Sequence, residues 1–254
     1  MPADRLAATA TGTGPRIVLV HGFTQTSRSW APLAARLAAG HEIVAVDAPG
    51  HGDSADVRAD LEAGAALLGE VGGLATYVGY SMGGRLCLHL AVSRPDLVER
   101  LVLVSATAGL DAPDDRAARR ASDEALAASL ERDGLDAFLE RWVAQPLFAG
   151  FVDPDLDDRR RNTVGGLASS LRLAGTGTQE PLWERLPGIT MPVLVVAGAD
   201  DPKFVAAAER LSALLPMATM AIVDAAGHTV HLEQPESFAE LLERWLASSP
   251  AATS

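Results

Sequence analysis

The strongest constraint on how this chain can fold is a Gly-x-Ser-x-Gly pattern at residues 79–83. A strand-like apolar run precedes it at residues 75–78, and a helix-like run follows over residues 82–93. Between a strand and a helix, this pattern is typical of a nucleophile elbow, a turn so sharp that Ser81 is held strained and exposed above a sheet edge. The two glycines are expected because side chains there would collide with the neighbouring strand and helix.

Composition and charge exclude several classes of protein. The chain has 254 residues, of which 48% are hydrophobic and 21% charged, as in a soluble globular protein with a large core. Its net charge of −12 argues against nucleic acid and anionic membranes as partners. A single cysteine, Cys87, excludes an internal disulfide framework. No signal-peptide or membrane-span pattern is present, so a cytoplasmic location is expected, and the sequence leaves the oligomeric state open.

Short apolar runs alternate with helical stretches through most of the chain, which predicts an α/β fold with a mostly parallel sheet and helices on both faces. Residues 1–15 are rich in Ala, Thr and Gly without periodicity, and we predict a flexible lead-in. The predicted strands are residues 17–20, 43–47, 75–78, 101–104, 192–196 and 220–223. The predicted helices outside the central segment are residues 29–39, 58–70, 82–93, 203–215 and 236–247.

The central segment, from about residue 109 to residue 187, has no strand candidate. Charged helical stretches at about 114–132, 134–144 and 155–172 are too short and interrupted for an independent domain. We therefore predict one domain over residues 1–254, with a helical cap inserted over the carboxyl edge of the sheet, where ligands bind in open α/β folds. The segment is rich in arginine: Arg116, Arg119, Arg120, Arg132, Arg141, Arg159, Arg160, Arg161 and Arg172.

Residues at the ends of three predicted strands can activate a serine. A serine hydroxyl is a poor nucleophile or base unless an imidazole takes its proton and an acid orients that imidazole. In this type of fold the chain order is serine, acid, histidine. Asp200 and Asp201 follow one predicted strand and His228 follows the next, both after Ser81 in the chain. The sequence predicts that Ser81 and His228 act together with one of these two aspartates.

Chemistry at such a serine also needs donors aimed at a developing oxyanion. We expect the backbone N–H groups of Met82, which follows the serine, and of Phe23, in the loop after the first predicted strand. Loss of one such donor costs on the order of 10²–10³ in rate. His21 is expected to shape that loop, whereas a metal site at His228 and His231 is disfavoured because no acidic partner motif accompanies them. Structural or solvated roles are expected for His41, His51 and His89.

Arg85 lies four residues after Ser81, which puts it one helical turn further on the same side. A guanidinium there can bind a carboxylate close to the reacting atoms. The alternative is an ion pair with Glu99 or with an aspartate of residues 47–53. Together with the arginines of the central segment, Arg85 favours an anionic, carboxylate-rich small-molecule substrate, since a plain esterase pocket is more apolar.

These motifs resemble those of the α/β-hydrolase superfamily over nearly the whole chain. An aspartate occupies the elbow in the epoxide hydrolases and haloalkane dehalogenases of that superfamily, so Ser81 speaks against both. The resemblance lies in residues 21–23 (His-Gly-Phe), 47–54 (Asp-x-Pro-Gly-His-Gly-x-Ser), 79–83, 198–201 (Gly-x-x-Asp) and 227–228 (Gly-His).

A closer resemblance is to the family of 2-succinyl-6-hydroxy-2,4-cyclohexadiene-1-carboxylate synthases, which eliminate pyruvate in menaquinone biosynthesis. This resemblance implies a Ser81–His228–Asp201 triad, because the run ending in Lys203 and Phe204 selects Asp201 over Asp200. It also implies a reaction that needs no cofactor. The matching segments are residues 21–23, 79–85, 116–119, 142–148, 175–179 and 198–204. The substrate contacts that it implies are Tyr80, Arg85, Arg119, Trp142 and one of the arginines at 159–161, of which Arg159 is favoured.

Two other functions are compatible with these residues. One is hydrolysis of carboxylic esters or of carbon–carbon bonds on the same scaffold, since many short hydrolases share most of the pattern. The other is a binding protein that has lost catalysis, against which the complete set of serine, histidine and acid argues. The sequence after Arg120 diverges from the synthase pattern, so the substrate itself stays open.

Overall fold

The structure is a computed structural model that describes residues 5–148 and 156–248. Within these ranges seven strands form one sheet, in which the strand at the amino-terminal edge is antiparallel and all other neighbours are parallel. The strands are β1 (Ala8–Thr11), β2 (Arg16–Val20), β3 (Glu42–Val46), β4 (Ala75–Tyr80), β5 (Val98–Val104), β6 (Val193–Gly198) and β7 (Ala218–Val223). Their order across the sheet is β1-β3-β2-β4-β5-β6-β7.

Helices cover both faces of the sheet, as predicted. Within the described ranges none of them combines the length and apolar character needed to cross a membrane. The helices are α1 (Ala31–Leu37), α2 (Leu61–Gly72), α3 (Met82–Ser93), α4 (Pro113–Asp133), α5 (Leu135–Val143), α6 (Leu156–Arg159), α7 (Val164–Ala174), α8 (Pro202–Leu214), α9 (Val230–Glu233) and α10 (Pro235–Ala247).

The central strands are buried on both sides, which explains their uninterrupted apolar sequences. In β2, Val18 and Val20 point into the core shared with α2, α3 and α8, whereas Ile17 and Leu19 point into the core shared with α1 and α10. All six residues of β4 are buried. Since burial of one large apolar side chain stabilises the fold by roughly 1.5–3 kcal/mol, these strands form a rigid base for the residues at their carboxyl ends.

The amino-terminal segment corrects one prediction. Residues 8–11 are not a flexible lead-in but strand β1, which pairs antiparallel with β3. Every residue of β1 is exposed, so the strand has no apolar alternation and depends on backbone pairing alone. Backbone contacts extend the pairing: Asp47 N–H donates to the Ala7 carbonyl at 3.0 Å, and Ala7 N–H donates to Ser54 Oγ at 2.8 Å.

The insertion between β5 and β6 is helical, as expected, and has no strand in its described residues. The helix predicted at 155–172 is two helices, α6 and α7; residue 155 and Phe151 lie outside the described residues. Thr163 begins α7, because its side chain accepts the N–H of Gly166. Helices α4, α5 and α7 share a small apolar core that includes Leu130, Phe138 and Leu167. We call α4 to α7 the cap.

Candidate active site

Ser81 sits in the sharp turn between β4 and α3. Its φ of 50° and ψ of −108° are strained for a residue with a side chain, and its N–H donates to the Val104 carbonyl at 2.9 Å. The predicted roles of the two glycines are confirmed. A Cβ at Gly79 would lie 2.5 Å from the Gly83 carbonyl oxygen, and a Cβ at Gly83 would lie 2.2 Å from that of Val20. Strand and helix approach so closely that only glycine fits.

A chain of hydrogen bonds joins Ser81 to His228 and His228 to an aspartate. His228 Nε2 lies 3.1 Å from Ser81 Oγ, and Nδ1 lies 2.9 Å from Asp201 Oδ2. Asp201 is thus the aspartate bonded to His228, whereas Asp200 is exposed in the same turn. With Nδ1–H donating to the carboxylate, Nε2 is free to accept the serine proton. Asp201 and His228 are both buried, which protects the imidazole–carboxylate bond from competing water.

Two adjacent loops hold the acid and the histidine together. Gly198 ends β6 against the loop that carries His228, where a Cβ would lie 2.2 Å from the Gly227 carbonyl oxygen. Both backbone amides that flank His228 donate to the carboxylate of Glu233: Gly227 N–H and Thr229 N–H each lie 2.7 Å from one of its oxygens. These charge-assisted bonds fix the loop and with it the position of the imidazole.

The two residues expected to supply oxyanion donors are found at the same cavity as Ser81. Phe23 and Met82 line the same cavity as Ser81, and neither amide donates a hydrogen bond within the described residues. Met82 is the first residue of α3, so its N–H points out of a helix N-terminus, where an anion is favoured. We call residues 21–26, which follow β2, the Phe23 loop. Gly22 lets this loop pack against Tyr80, since a Cβ at residue 22 would lie 2.4 Å from the Tyr80 ring.

Two buried histidines support the Phe23 loop. His51 Nε2 accepts the N–H of Thr24 at 3.3 Å, and His21 Nε2 accepts that of Ala48 at 3.0 Å. Each Nδ1 lies within 3 Å of a backbone carbonyl oxygen, so both rings are neutral with Nδ1–H as donor. Burial lowers the pKa of His21 and lowers that of His51 to about 3. The expectation that His21 shapes this loop is confirmed.

Above Ser81 lies a cavity between the sheet edge and the cap. It encloses about 800 Å³ of empty volume, including its open mouth. Ser81, Met82 and His228 form its floor, and its apolar wall includes Phe23 and Phe148. The space is lined by both apolar and charged groups, as ligand sites in proteins are.

Arg85 is the buried cation of this cavity. Only 8% of the residue is exposed, and its guanidinium donates to the Ala174 carbonyl at 2.8 Å and lies 3.5 Å from Gln179 Oε1. No carboxylate pairs with it in the described part of the chain, so an ion pair with Glu99 or with residues 47–53 is wrong. Burial and the nearby charge of Arg119 lower its pKa to about 10. A buried cation with only neutral partners is suited to an anionic ligand.

Three further predicted residues lie at the cavity. Arg119 donates through Nε to Asp123 at 2.8 Å, which leaves the other end of its fork available. Trp142 packs edge-on to Phe23, with ring centroids 5.0 Å apart, and its buried Nε1 has no partner in the described residues. Tyr80 packs against His228 with ring centroids 5.4 Å apart.

Arg159 is placed differently. It is buried behind the Phe23 loop, where it contacts Thr24 Oγ1, and it is not part of the cavity wall. Arg160 is on the surface with Asp136 and Asp157. Of the triplet at 159–161, Arg159 is therefore the inward-facing residue, and its contacts support the loop that carries the Phe23 amide.

The other arginines of the central segment do not face the cavity, which corrects their expected role in anion recognition. They bind carboxylates or carbonyl oxygens elsewhere in the described structure, because exposed helical arginines pair readily with nearby acids. The bonds are Arg116 to Leu110 and Asp111, Arg120 to Gly177, Arg132 and Arg141 to Asp133, Arg161 to Asp53, and Arg172 to Glu124 and Glu131.

Sequence reasoning did not assign three polar residues of this region to the site. Asp123 orients Arg119, Gln179 contacts Arg85, and Lys203 lines the cavity beside His228. The spacing of four residues between Arg119 and Asp123 on a helix is a signal that could have found the first. Lys203 lies in the segment at residues 198–204, which is a signal that could have found it.

The strand order, the strained serine and the hydrogen-bonded serine, histidine and aspartate define an enzyme of the α/β-hydrolase class. A model of the alpha/beta hydrolase family matches residues 17–241, and the chain belongs to this family.

Among individual relatives, the chain is similar to 2-succinyl-6-hydroxy-2,4-cyclohexadiene-1-carboxylate synthases. A Bacillus subtilis (strain 168) protein provisionally assigned that name is 36% identical over 248 residues, with 91% of this chain and 90% of that protein covered. The synthase of Serratia proteamaculans (strain 568) is 32% identical over 247 residues, with 92% and 94% covered. The structure of MenH from S. aureus matches with a TM-score of 0.88 at 28% identity, covering 95% of this chain and 97% of that one.

Proposed function

We propose that this enzyme eliminates pyruvate from an anionic carboxylated substrate, as a 2-succinyl-6-hydroxy-2,4-cyclohexadiene-1-carboxylate synthase of menaquinone biosynthesis. The observation that carries the proposal is the hydrogen-bonded Ser81, His228 and Asp201 beneath a cavity that also contains Arg85. A serine activated in this way can serve as a base at carbon, and a buried arginine favours a carboxylated molecule over a neutral one.

The proposed reaction is an elimination without cofactor. His228 Nε2 takes the Ser81 proton, and the serine oxygen takes a proton from a carbon next to a carbonyl group of the substrate. The electron pair becomes an enolate, whose oxygen accepts the N–H groups of Phe23 and Met82. The enolate then collapses as the carbon–oxygen bond to the pyruvate unit breaks, and His228 returns its proton to the departing group. Ser81 keeps the proton taken from carbon, so the enzyme ends as it began.

Charge complementarity supports the carboxylated substrate. Arg85 and the free end of the Arg119 fork are donors at the cavity wall, and the indole N–H of Trp142 is a further donor. Hydrogen bonds to charged groups contribute about 1.5–3 kcal/mol each, so these residues can select strongly for carboxylates. Arg159 supports the proposed reaction indirectly, because it contacts the loop that carries the Phe23 amide, one of the two proposed oxyanion donors.

The second candidate function is hydrolysis of carboxylic esters or of carbon–carbon bonds. A thermophilic esterase from Thermogutta terrifontis, whose structure was determined with malate bound, matches with a TM-score of 0.80 at 25% identity over 95% of this chain and 92% of that one. The same serine and the same two amides also suit attack on an ester carbonyl. Because the same groups suit both reactions, the substrate that the cavity binds decides whether the enzyme acts as a lyase or as a hydrolase.

The test measures pyruvate release from the enzymatically generated menaquinone precursor, with Ser81→Ala as the matched control. The proposal predicts release that requires Ser81, and no consumption of water. Hydrolysis of carboxylated or neutral esters without pyruvate release would favour the second function. Failure of a fluorophosphonate to label Ser81, together with no turnover of any substrate, would point to a binding protein that has lost catalysis.

A further inference from the structure

Lys203 is the only lysine of the chain, and it occupies a position that does not favour a cation. It is the second residue of α8, and the first turn of a helix stabilises anions and destabilises cations. The protein otherwise uses arginine for every fixed positive charge. The position of Lys203 therefore has no explanation in the stability of its own helix.

The ammonium group is placed by aromatic packing beside the proposed catalytic residues. Lys203 Nζ lies 5.6 Å from the ring centroid of Phe204, whose ring lies 4.4 Å from that of His228. Lys203 is exposed and lines the cavity, so it stands at the mouth rather than in the interior. The neighbouring acids do not neutralise it, because Asp201 is bonded to His228 and Asp200 is not part of the cavity wall.

The cavity wall thus has an excess of positive charge in a protein of net charge −12. Arg119 is paired with Asp123, whereas neither Arg85 nor Lys203 makes an ion pair with a carboxylate in the described residues. Both residues line the cavity, but Arg85 is buried whereas Lys203 is exposed to solvent. This distribution fits an extended ligand with negative groups along its length.

We propose that Lys203 forms an outer anion contact of this cavity, which binds the third carboxylate of a tricarboxylate whose other carboxylates lie against Arg85 and Arg119. The inference rests on the proposed function. The product named for the relatives has a succinyl and a ring carboxylate, and the pyruvate that is lost has one more. Three carboxylates thus meet three cations, of which Lys203 is the one that the approaching ligand meets first.

The experiment compares two ligands that differ by one carboxylate, propane-1,3-dicarboxylate and propane-1,2,3-tricarboxylate. Calorimetric titration gives the affinity ratio for the wild-type protein, Lys203→Met and Lys203→Arg. Arg94→Gln is the control, since it removes one positive charge at the far end of α3, about 20 Å along that helix from Ser81. The proposed ion pair between Lys203 and the third carboxylate is exposed to solvent and therefore weak. The wild type is thus expected to prefer the tricarboxylate about three- to fivefold.

Lys203→Met is expected to bring that ratio close to one, while Lys203→Arg and Arg94→Gln keep it. Salt at 0.5 M should reduce the wild-type preference, because exposed charges are screened. An unchanged ratio in Lys203→Met, no preference in the wild type, or no binding of either ligand at 20 mM would overturn the inference. These outcomes are independent of pyruvate release, so failure of the proposed function would be seen separately.

Discussion

At the sheet edge, Ser81, Asp201 and His228 each follow a buried parallel strand, and their positions are set by backbone geometry and tight glycine contacts. The cap on the other side of the cavity has a small apolar core of its own and an outer surface covered with ion pairs. The sheet edge carries the proposed reacting groups, whereas the cap contributes Arg119 and Trp142 to the wall. In the proposed function the sheet edge performs the chemistry, whereas substrate selection draws on Arg85 of α3 as well as on the cap, and substitutions should separate the two roles.

The largest effect is expected at the floor of the cavity. Ser81→Ala and His228→Ala should each lower turnover on the order of 10⁴-fold or more on every substrate, because the proposed mechanism assigns both residues to the same proton transfers. Both side chains border the cavity, so the thermal unfolding midpoint should stay within a few degrees of wild type. Collapse of the fold in both variants would show that the residues are structural.

The second effect tests the backbone geometry of the sheet edge. Gly22→Ala places a methyl group against the Tyr80 ring and should displace the Phe23 amide from the oxyanion position. The expected loss is on the order of 10²–10³ in kcat. Gly188→Ala is the matched control, since a Cβ there meets nothing within 4 Å. Equal activity of the two variants would contradict the assignment of Phe23.

The third prediction separates the buried arginine from the exposed arginines of the cap. Arg85→Ala should lower kcat/KM for a carboxylated nitrophenyl ester about 10- to 100-fold, because a charge-assisted bond is lost, and should have much less effect on a neutral ester. Arg172→Ala removes an arginine that pairs with Glu124 and Glu131 on the cap surface and should leave both rates unchanged. Equal effects of Arg85→Ala on the two esters would refute anion recognition by this residue.

The smallest effect concerns stability against acid. Burial lowers the pKa of His51 and His231 to about 3, far below the usual value of 6.5. The unfolded chain therefore binds protons that the folded chain excludes, and the free energy of unfolding should fall as pH drops from about 6.5 toward 3. The slope is roughly 1.4 kcal/mol per pH unit for each such histidine.

Urea unfolding at pH 7.0, 6.0 and 5.0 measures this slope. Carboxylates whose pKa is lowered by arginine, such as Glu124 and Glu131, titrate below this range and do not contribute to it. Constant stability between pH 7.0 and 5.0 would contradict a neutral, buried state of these rings. The sheet edge would then be less tightly packed than the structure shows.

The same contrast between sheet and cap explains which features the sequence could predict. The strands β2 to β7 and the residues that follow them are encoded in contiguous segments, since buried strands have uninterrupted apolar sequences and their ends carry Gly-containing turns. Position and order alone therefore identify Ser81, His228 and a pair of candidate acids, Asp200 and Asp201. Selection of Asp201 over Asp200 also needed the family resemblance.

Features that depend on tertiary contacts could not be predicted in this way. Strand β1 is exposed throughout and is defined by its pairing with β3, which leaves no hydrophobic pattern. An arginine on an amphipathic helix can face either a cavity or a neighbouring acid, and the sequence pattern is the same in both cases. Composition therefore overstated the cationic character of the cap, where Arg119 faces the cavity and Arg172 faces solvent.

The most direct test of the central claim pairs two assays on one preparation of purified protein. One measures pyruvate release from the menaquinone precursor, and the other measures hydrolysis of short neutral nitrophenyl esters. Fast pyruvate release with poor ester hydrolysis is the predicted result, since a sheet-edge serine would then act as a base on a substrate selected by arginine. Efficient ester hydrolysis without pyruvate release would contradict the claim and leave the chain a hydrolase on the same scaffold.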